Sequence, residues 1–435
     1  MRVVIVGGGA AGVTVASELR KVDKDVDITI LEKSDQYTYS ACSLPYVISG
    51  EIQDMDSITT FDKHFFDSNN IKFLMKAEAA SIDRNSKKLK YLKNGKEEEL
   101  SYDYLVLATG SKPLIPNING LEKVKYYTLK TKQDAMAIMH QLDKTKNAVI
   151  IGGGMIGVEL AAALSSRNIK TTIAEAQKQI LSAMLDPSMS QIVERYLVDK
   201  GVAIITDLKA PQVIENKVIA DTSTVPFDFL AVACGFQPEV TLAKQAGLEV
   251  ERGIKVRSTQ QTSDEVIFAC GDCVEVHQCA WLATNAVQQA RVVAQNILGN
   301  WTELPEMLNT MVSHIGGLII ASTGSTSPQL EASGKKPISS LYTGETRAEY
   351  CPKAKKMTVN LIAIGTKLRG CQIISQEEVV GRINWAALAI QHGLEVNQLA
   401  NAESAYNPVA SAMYDPLIVA AQILQKKLLK ADEFL

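Results

Sequence analysis

The sequence predicts an α/β protein with two parallel-sheet units and a C-terminal region of strands and helices. The first observation is a β-branched run at 2–6, followed by glycines, a helical pattern and a second strand at 27–31. The second is that the same succession of elements recurs from residue 148. The third is a change after residue 306 to strand-like runs followed by helices, which predicts an antiparallel sheet backed by helices.

The composition is that of an ordinary globular protein with several domains. The chain has 435 residues, of which 46% are hydrophobic and 21% charged, and its formal net charge is -3. These values exclude disordered and collagen-like classes, and the near-neutral balance argues against nucleic acid as a partner. No apolar run reaches the ~18 residues that cross a bilayer, so no membrane partner is expected. Seven irregularly spaced cysteines and the lack of a signal-peptide pattern predict a reducing cytoplasm.

The first glycine segment has the spacing of a dinucleotide-binding loop. A GxGxxG pattern begins at Gly7 between the first strand and a helix, and Glu32 ends the second strand. Glycines let a helix N-terminus approach a pyrophosphate, and a carboxylate at this strand end accepts hydrogen bonds from ribose hydroxyls. The predicted dinucleotide contacts are Gly7, Gly9, Ala11, Gly12, Glu32 and Lys33.

The second unit repeats this pattern and predicts a second dinucleotide. Residues 148–151 lead into a glycine loop, a helix follows, and a strand at 171–174 ends at Glu175. An acid stands where a 2'-phosphate would need a basic residue, so Glu175 favours NADH, while nearby Lys178 leaves NADPH as an alternative. The predicted contacts of this loop are Gly152, Gly154, Ile156, Gly157 and Glu175.

Further motifs complete an ordered pattern. YLVLATGS at 104–111 is a strand followed by a Thr-Gly turn, and LAVACG at 230–235 takes the corresponding place after the second glycine loop. VIFACGDCVE at 266–275 contains a Gly-Asp turn and precedes a helix. Over essentially the whole chain, these motifs resemble the pyridine nucleotide-disulfide oxidoreductase family.

The resemblance implies two cofactors and three domains. The first glycine loop would hold FAD, with the site closed by Thr109, Gly110, Gly271 and Asp272. The second loop would hold NADH or NADPH, with Glu159 near the nicotinamide. The implied domains are an FAD-binding domain of residues 1–112 and 242–305, an inserted NADH-binding domain of 113–241 and a dimerisation domain of 306–435.

Cys42 is the predicted redox centre. It lies in SACSLPY at 40–46, at the start of a segment that resembles the redox-active helix of the family, and Val47 stands where dithiol members have a second cysteine. Without that neighbour, the oxidised form of Cys42 must be a mixed disulfide with a small thiol, a persulfide or a sulfenic acid. The segment resembles the single-cysteine branch, which contains coenzyme A disulfide reductases, polysulfide or persulfide reductases, NADH oxidases and NADH peroxidases.

Two tyrosine segments replace the C-terminal His-Glu pair of the dithiol reductases. ESAYNP at 403–408 is similar to a segment of the coenzyme A disulfide reductase branch, and RAEYCP at 347–352 resembles a second one. The resemblance implies that Tyr406 and Tyr350 reach the active site of the partner in a homodimer. There a phenol can hydrogen-bond to a thiolate or protonate it. Alternatively, both are dimer-interface residues.

The predicted acceptor is a small disulfide, persulfide or polysulfide, with coenzyme A (CoA) as the thiol carrier. Oxidase and peroxidase members have a histidine where this chain has Ala10, which argues against peroxidase chemistry. Tyr414 stands where related reductases offer a basic residue to CoA. The implied CoA contacts are Thr14, Ser17, Lys21 and Lys76. An NADH oxidase that reduces oxygen and a flavin-dependent redox sensor are the alternatives.

The remaining cysteines do not predict a metal site. Cys270 and Cys273 form a CxxC with Cys279 downstream, but the turn between the first two already matches the flavin-binding motif. A structural zinc site needs a second ligand pair, and the sequence offers none. We therefore predict no metal.

Overall fold

The chain folds into two compact units. The computed structural model describes residues 1–220, 223–275, 279–377 and 379–432. The first unit consists of Met1–Leu114, Lys130–Lys132 and Gly235–Met307, and the second of Ile115–Leu129, Gln133–Cys234 and Leu308–Leu435. The segments predicted to bind FAD lie in the first unit. Most of the segment predicted to bind NADH shares the second unit with the C-terminal segment.

The elements of the described residues are as follows. The helices are α1 Ala10–Val22, α2 Leu44–Ser49, α3 Lys63–Ser68, α4 Lys132–Leu142, α5 Met155–Ser166, α6 Pro187–Asp199, α7 Thr241–Gln245, α8 Ala283–Ile297, α9 Ser327–Ala332, α10 Val380–Gln391, α11 Val396–Ala400 and α12 Pro416–Asp432, with 3₁₀ turns at Ala41–Ser43 and Leu121–Lys123. The strands are β1 Arg2–Val6, β2 Asp27–Leu31, β3 Thr38–Tyr39, β4 Thr59–Phe61, β5 Ile71–Leu74, β6 Ala77–Asp83, β7 Lys88–Lys93, β8 Lys96–Ser101, β9 Tyr104–Leu107, β10 Ser111–Pro113, β11 Asn147–Ile151, β12 Lys170–Ala174, β13 Val202–Ile205, β14 Gln212–Ile214, β15 Lys217–Ala220, β16 Ser223–Pro226, β17 Phe229–Val232, β18 Phe236–Pro238, β19 Ile254–Lys255, β20 Ile267–Ala269, β21 Val274–Glu275, β22 Met311–Ile315, β23 Leu318–Gly324, β24 Ile338–Glu345, β25 Lys356–Ile364 and β26 Lys367–Ser375.

A five-stranded parallel sheet forms the centre of the first unit, in the order β20-β9-β1-β2-β5. Successive residues of a strand point to opposite faces. Accordingly, Val3 and Ile5 join the core under α1 and α8, while Val4 and Val6 join a second core with Leu89 of the antiparallel β6-β7-β8 sheet. Burial on both faces explains why β1 reads as a continuous apolar run.

The second unit contains a parallel sheet and an antiparallel sheet. The parallel sheet has the order β13-β12-β11-β17, and its central strand β11 leads through the second glycine loop into α5. The antiparallel sheet has the order β22-β23-β26-β25-β24. Its helices share its core, with Val359 of β25 and Ile373 of β26 clustered with Ile383 of α10 and Leu424 of α12.

The predicted α/β class with Rossmann-like parallel sheets is confirmed. The sequence indicates three strands in the C-terminal sheet, at 317–322, 357–364 and 370–375. The structure adds the edge strands β22 and β24, which the sequence did not indicate because they are only partly buried and carry polar residues between the apolar ones. The strand predicted at the start of 104–111 is β9, which ends at Leu107 before the Thr-Gly turn, and residues from Ser111 form the separate strand β10. Within the described residues, no helix combines the length and apolar character that a membrane span requires.

Candidate active site

The first glycine loop packs against two of the other predicted motifs. Gly7 has a φ of 111°, and a Cβ on it would collide with the carbonyl of Ala108, just before the predicted Thr-Gly turn. A Cβ on Gly271, in the Gly-Asp turn, would lie 3.0 Å from the Cβ of Ala11. Glycine permits these close approaches because it has no Cβ. The loop and both turns therefore meet at the carboxyl ends of β1, β9 and β20.

The loop leaves the N-terminus of α1 accessible. A Cβ on Gly9 would meet no atom within 4 Å, and Gly9 supplies no side-chain cap to α1. The first backbone N–H groups of a helix have no partners within the helix and can bind an anion. This uncapped helix end, next to a loop of glycines, fits the pyrophosphate of FAD.

Glu32 is held in place by the same loop. Its Oε2 accepts a hydrogen bond from the backbone N–H of Gly8 at 2.9 Å, and its Oε1 accepts one from the backbone N–H of Ser34 at 2.8 Å. A carboxylate has about four lone-pair sites, so these two bonds leave acceptor capacity for ribose hydroxyls. Lys33, also predicted as a contact, is exposed beside it.

Asp272 belongs to a hydrogen-bonded network that the sequence did not indicate. The Oγ of Ser111 donates to Asp272 Oδ2 at 2.8 Å, and Lys130 Nζ donates to the same oxygen at 3.1 Å. The Lys130 ammonium also lies 4.5 Å from the centre of the Phe236 ring. Charged groups beside a flavin tune its electronic properties. Ser111 and Lys130 thus join Asp272 as candidate residues of the FAD site.

The Thr-Gly turn is hydrogen-bonded to Glu239, the residue that follows β18. Thr109 Oγ1 donates to the carbonyl of Glu239 at 2.7 Å, and the carbonyl of Gly110 accepts from the N–H of Glu239 at 2.9 Å. These bonds extend the antiparallel pairing of β10 with β18. Both residues of the turn, Thr109 and Gly110, are therefore held by Glu239.

The second glycine loop has nearly the same geometry as the first. Gly152 also has a φ of 111°, and a Cβ on it would approach the carbonyl of Ala233 too closely. A Cβ on Gly154, like one on Gly9, would meet no atom within 4 Å. Glu175 accepts hydrogen bonds from the N–H groups of Gly153 and Gln177. This loop therefore fits a second dinucleotide.

Glu159 lies on α5 and is half-buried, as is Ile156 in the first turn of the same helix. The Oε1 of Glu159 accepts a hydrogen bond of 2.5 Å from the Oγ of Ser313 on β22. Ser313 is 3% exposed. No motif contains Ser313, so no sequence pattern indicated this contact.

The Cys42 thiol is exposed in the 3₁₀ turn that precedes α2. Thr38, shortly before it, donates through Oγ1 to the carbonyl of Gly8 at 2.8 Å, which ties this segment to the first glycine loop. α2 has only six residues, because it ends at Gly50 with a φ of 87°. Val47, at the place of the missing second cysteine, is 2% exposed.

The structure brings Tyr350 and Tyr406 together. Hydrogen bonding with Tyr350 raises the pKa of Tyr406 above its ordinary value. Tyr350 is 78% and Tyr406 45% exposed. The two segments that the sequence indicated separately thus form one phenol pair on the surface of the second unit.

Three of the four residues predicted to bind CoA have side-chain partners within the chain. Thr14 Oγ1 donates to the carbonyl of Ala10 at 2.7 Å, Lys21 pairs with Glu18 at 2.8 Å, and Lys76 Nζ lies 3.8 Å from an oxygen of Asp35. Thr14 and Ser17 are half-buried, and both lysines are exposed. A bound CoA would have to replace or share these exposed contacts.

Cys270 and Cys273 are both buried, and burial raises the pKa of each thiol. Cys273 Sγ donates to the carbonyls of Leu107 and Cys270 at 3.3 Å each. Zinc binds thiolates rather than protonated thiols. In the part of the chain that the structure describes, no three His, Cys, Asp or Glu side chains are grouped as metal ligands.

Comparisons with known proteins agree with this arrangement. The family model described as pyridine nucleotide-disulphide oxidoreductase matches residues 1–290. An NADH oxidase from Methanocaldococcus jannaschii is 34% identical over 98% of this chain and 99% of that protein. An NAD(P)H coenzyme A polysulfide/persulfide reductase from Pyrococcus horikoshii is 28% identical over 98% of each chain.

The solved structure of an NAD-dependent persulfide reductase from A. fulgidus has a TM-score of 0.94 and 33% identity, covering 98% of this chain and 83% of that chain. The family match spans both glycine loops and the two turns that close the first one. The chain therefore belongs to the pyridine nucleotide-disulphide oxidoreductase family and is an FAD-dependent NAD(P)H oxidoreductase.

Proposed function

We propose that the protein reduces a disulfide or persulfide of coenzyme A with NADH, through Cys42. The observation that carries this proposal is the exposed Cys42 thiol on a segment tied to the first glycine loop, with buried Val47 in place of a second cysteine. A single thiolate exchanges with an external sulfur compound rather than with a neighbouring cysteine. The names of the P. horikoshii and A. fulgidus relatives, which specify persulfide substrates, support this choice of acceptor.

FAD and NAD(P)H supply hydride transfer from the nicotinamide and electron transfer to sulfur when they are bound. Glu175 favours NADH, because its carboxylate would repel a 2'-phosphate at this strand end. Glu159, held by Ser313, lies in the helix that follows the second loop and is the proposed nicotinamide contact. FAD would contact Gly7, Gly9, Ala11, Gly12, Glu32, Lys33, Thr109, Gly110, Gly271 and Asp272, and NADH would contact Gly152, Gly154, Ile156, Gly157, Glu159 and Glu175.

Cys42 makes and breaks the sulfur bonds. Its thiolate attacks one sulfur of CoA disulfide, so that the S–S bond breaks, one CoA thiolate leaves and a Cys42–CoA mixed disulfide forms. Two electrons from NADH then cleave the mixed disulfide and restore the two thiolates. With a CoA persulfide, hydrosulfide is the group released. For CoA disulfide, one NADH and one proton thus convert one disulfide to two thiols.

Tyr406 is the proposed proton donor to the leaving thiolate, and Tyr350 is its hydrogen-bond partner. Because the hydrogen bond raises the pKa of Tyr406, its phenol keeps the proton that it must donate. The CoA moiety would lie along α1, past Thr14, Ser17 and Lys21, with Lys76 as a further phosphate contact. Lysine is a common partner of phosphate as a point charge.

We infer a homodimer in which the tyrosine pair of one subunit completes the active site of the other. The loop that carries Tyr406 also exposes Val409 by 66%, Met413 by 60% and Tyr414 by 74%. Exposed apolar clusters of this kind mark interaction sites. The C-terminal antiparallel sheet and its helices would then be the dimerisation domain.

The substrate is a small molecule, and the reducing cytoplasm is the proposed location because the chain's cysteines do not form a disulfide framework.

Replacement of Cys42 by serine tests the proposal. We expect Cys42→Ser to bind FAD and to be bleached by NADH, but to lose CoA-disulfide- and CoA-persulfide-dependent NADH oxidation by at least about a hundredfold. Cys234→Ser is the matched control, because burial raises the pKa of Cys234 to about 11 and keeps that thiol protonated. Undiminished reduction of both acceptors by Cys42→Ser would refute the assignment.

An NADH oxidase is the second candidate, favoured by the name of the M. jannaschii relative. Ala10 stands where oxidase members of the single-cysteine branch have a histidine, which favours the sulfur acceptor instead. Oxygen uptake separates the two functions. Oxygen consumption that matches NADH loss, requires Cys42 and exceeds turnover with CoA disulfide and persulfide would favour the oxidase.

A further inference from the structure

We propose that Arg347 and Glu377 form a clamp that positions the Tyr350–Tyr406 pair for the acceptor step. Arg347 is thereby a positioning residue for the proposed reaction, and this inference rests on the function proposed above. Arg347 begins the RAEYCP segment that resembles the second tyrosine segment of the branch, but the sequence predicted no role for Arg347 or for Glu377. The evidence is the set of contacts that joins the two tyrosine loops.

The two tyrosines lie on separate loops, each closed by its own hydrogen bonds. The β24–β25 loop carries Tyr350, and its ends are joined by bonds in both directions between Thr346 and Lys355, at 2.8 and 3.1 Å. The α11–α12 loop carries Tyr406 and is closed by Ser411, whose Oγ donates to the carbonyl of Ala405 at 2.9 Å. These bonds shape each loop, and a long backbone bond, from the N–H of Ala348 to the carbonyl of Pro408 at 3.4 Å, joins one loop to the other.

The Arg347 guanidinium makes a second and shorter connection between the two loops. Its Nη1 donates to the carbonyl of Val409 in the Tyr406 loop at 2.8 Å. Its Nη2 donates to both carboxylate oxygens of Glu377, just after β26, at 2.8 and 2.9 Å. One side chain of the Tyr350 loop thus holds the Tyr406 loop and is itself anchored to the antiparallel sheet.

The burial of this ion pair makes its geometry specific. The side chains of Arg347 and Glu377 are 20% and 19% exposed, so water screens them less than a surface pair. The planar guanidinium can serve two acceptors at fixed angles, which the ammonium of a lysine cannot do in the same way. The buried Nε of Arg347 has no hydrogen-bond partner within the described residues. Leaving a buried donor unpaired costs free energy. The orientation of Arg347 therefore favours its bonds to Val409 and Glu377 over a bond for every one of its N–H groups.

The functional consequence is preorganisation. A proton donor must lie within hydrogen-bond reach of the atom it protonates, and small displacements of a positioned group reduce rates strongly. With the clamp in place, the interaction of Tyr350 with Tyr406 that raises the pKa of Tyr406 is kept on a loop surface that is otherwise exposed. Without it, the bond from Ala348 to Pro408 still joins the loops, and we expect them to move more freely against each other.

Arg347→Lys in the FAD-loaded protein is the decisive variant. It keeps the positive charge but loses the planar guanidinium whose two nitrogens donate to Val409 and Glu377. Hydrogen exchange of residues 346–355 and 401–411 should accelerate by about tenfold or more in both loops, with the rest of the second unit unchanged. The rate of flavin reduction by NADH should stay at its wild-type value. Reduction of CoA disulfide should slow by about ten- to a hundredfold. Glu377→Gln, which retains an acceptor for the guanidinium, should give the same pattern in weaker form.

Arg84→Lys is the control, since it weakens a half-buried ion pair with Asp264 in the first unit and should alter neither loop. Unchanged exchange in both loops of Arg347→Lys would overturn the clamp, as would a uniform rise in exchange across the second unit, which marks a general loss of stability. Tyr406→Phe separates the two ideas. If that variant turns over normally while Arg347→Lys frees both loops, the clamp stands and the tyrosine role in the proposed function fails.

Discussion

Tyr406 keeps its proton to a higher pH than an isolated tyrosine, because its interaction with Tyr350 raises its pKa. This interaction is the largest cause of the raised pKa, ahead of desolvation. The neutral, proton-donating form of Tyr406 therefore persists above the ordinary tyrosine pKa of 10.0. The acceptor step should therefore keep its rate to a higher pH than an unassisted phenol would allow.

Tyr350→Phe should remove this assistance. Without the partner hydroxyl, the pKa of Tyr406 falls toward its ordinary value, and the alkaline limb of acceptor turnover moves to lower pH. The measurement is the pH profile of CoA-disulfide reduction, with tyrosinate absorbance of Tyr350→Phe compared with the Tyr350→Phe/Tyr406→Phe double variant. Superimposable alkaline limbs in wild type and Tyr350→Phe would contradict the prediction.

The sequence predicted site residues that stand in local motifs and gave no indication of residues whose contacts come from distant parts of the chain. Cys42 and the glycines are recognisable from their immediate neighbours. Ser313 is not, because its role depends on Glu159, which lies 154 positions away. Lys130 likewise meets Asp272 across 142 positions. That the two predicted tyrosines bond to each other was also beyond the sequence, since their loops meet only in the folded unit.

At the scale of elements, the two glycine loops use glycine for two different physical reasons. At Gly12 a Cβ would collide with the carbonyl of Gly7, so this glycine permits the packing of α1 on its own loop. At Gly9 a Cβ would touch no protein atom within 4 Å. The protein's own packing therefore does not require glycine at position 9, which supports the proposal that a pyrophosphate approaches the N-terminus of α1 there.

Alanine at these two positions should give opposite results. Gly9→Ala should unfold at the wild-type urea concentration but bind FAD at least about tenfold more weakly, because the added methyl group lies where the pyrophosphate must approach. Gly12→Ala should be less stable by about 1–3 kcal/mol through overpacking. Urea unfolding and FAD titration of the apoprotein measure the two effects. Wild-type FAD affinity in Gly9→Ala would show that the loop does not hold the pyrophosphate.

A buried carboxylate joins α6 to the C-terminal sheet within the second unit. Asp186 is 5% exposed and accepts hydrogen bonds from the N–H of Ser327, from Gln372 and from Asn360 at 2.9, 2.8 and 3.2 Å. Asp186→Ala leaves these donors buried without their acceptor, so we expect the free energy of unfolding to fall by about 3–5 kcal/mol. Asp199→Ala, at the exposed end of α6, should change it by less than about 0.5 kcal/mol. Equal urea midpoints for the two variants would contradict this account.

Elements were predictable where burial imposes a pattern and less so where it does not. β1 and β11 are buried on both faces and appear in the sequence as unbroken apolar runs. β22 and β24 are edge strands with alternating exposure, and their polar residues conceal them. α2 ends after six residues because Gly50 adopts a left-handed conformation.

For the whole molecule, the central question is which subunit supplies each part of the active site. Cys42 belongs to the first compact unit, and the tyrosine pair belongs to the second. The exposed surface around Tyr406 favours a homodimer in which the pair acts on Cys42 of the partner subunit. A dimer with two-fold symmetry contains two such shared sites. Single variants cannot distinguish this arrangement from a site within one chain, but mixed dimers can.

Mixed dimers of Cys42→Ser and Tyr406→Phe subunits, purified through two different affinity tags, should recover activity. With shared sites, one of the two sites combines an intact Cys42 with an intact Tyr406, so about half of wild-type turnover should return. The reciprocal control pairs a wild-type subunit with a Cys42→Ser/Tyr406→Phe subunit, and in that dimer both shared sites are defective. A site within one chain reverses both results: the first mixed dimer stays at the level of its parents and the second retains about half of the activity. The comparison of these two dimers in CoA-disulfide reduction therefore decides the origin of the tyrosine.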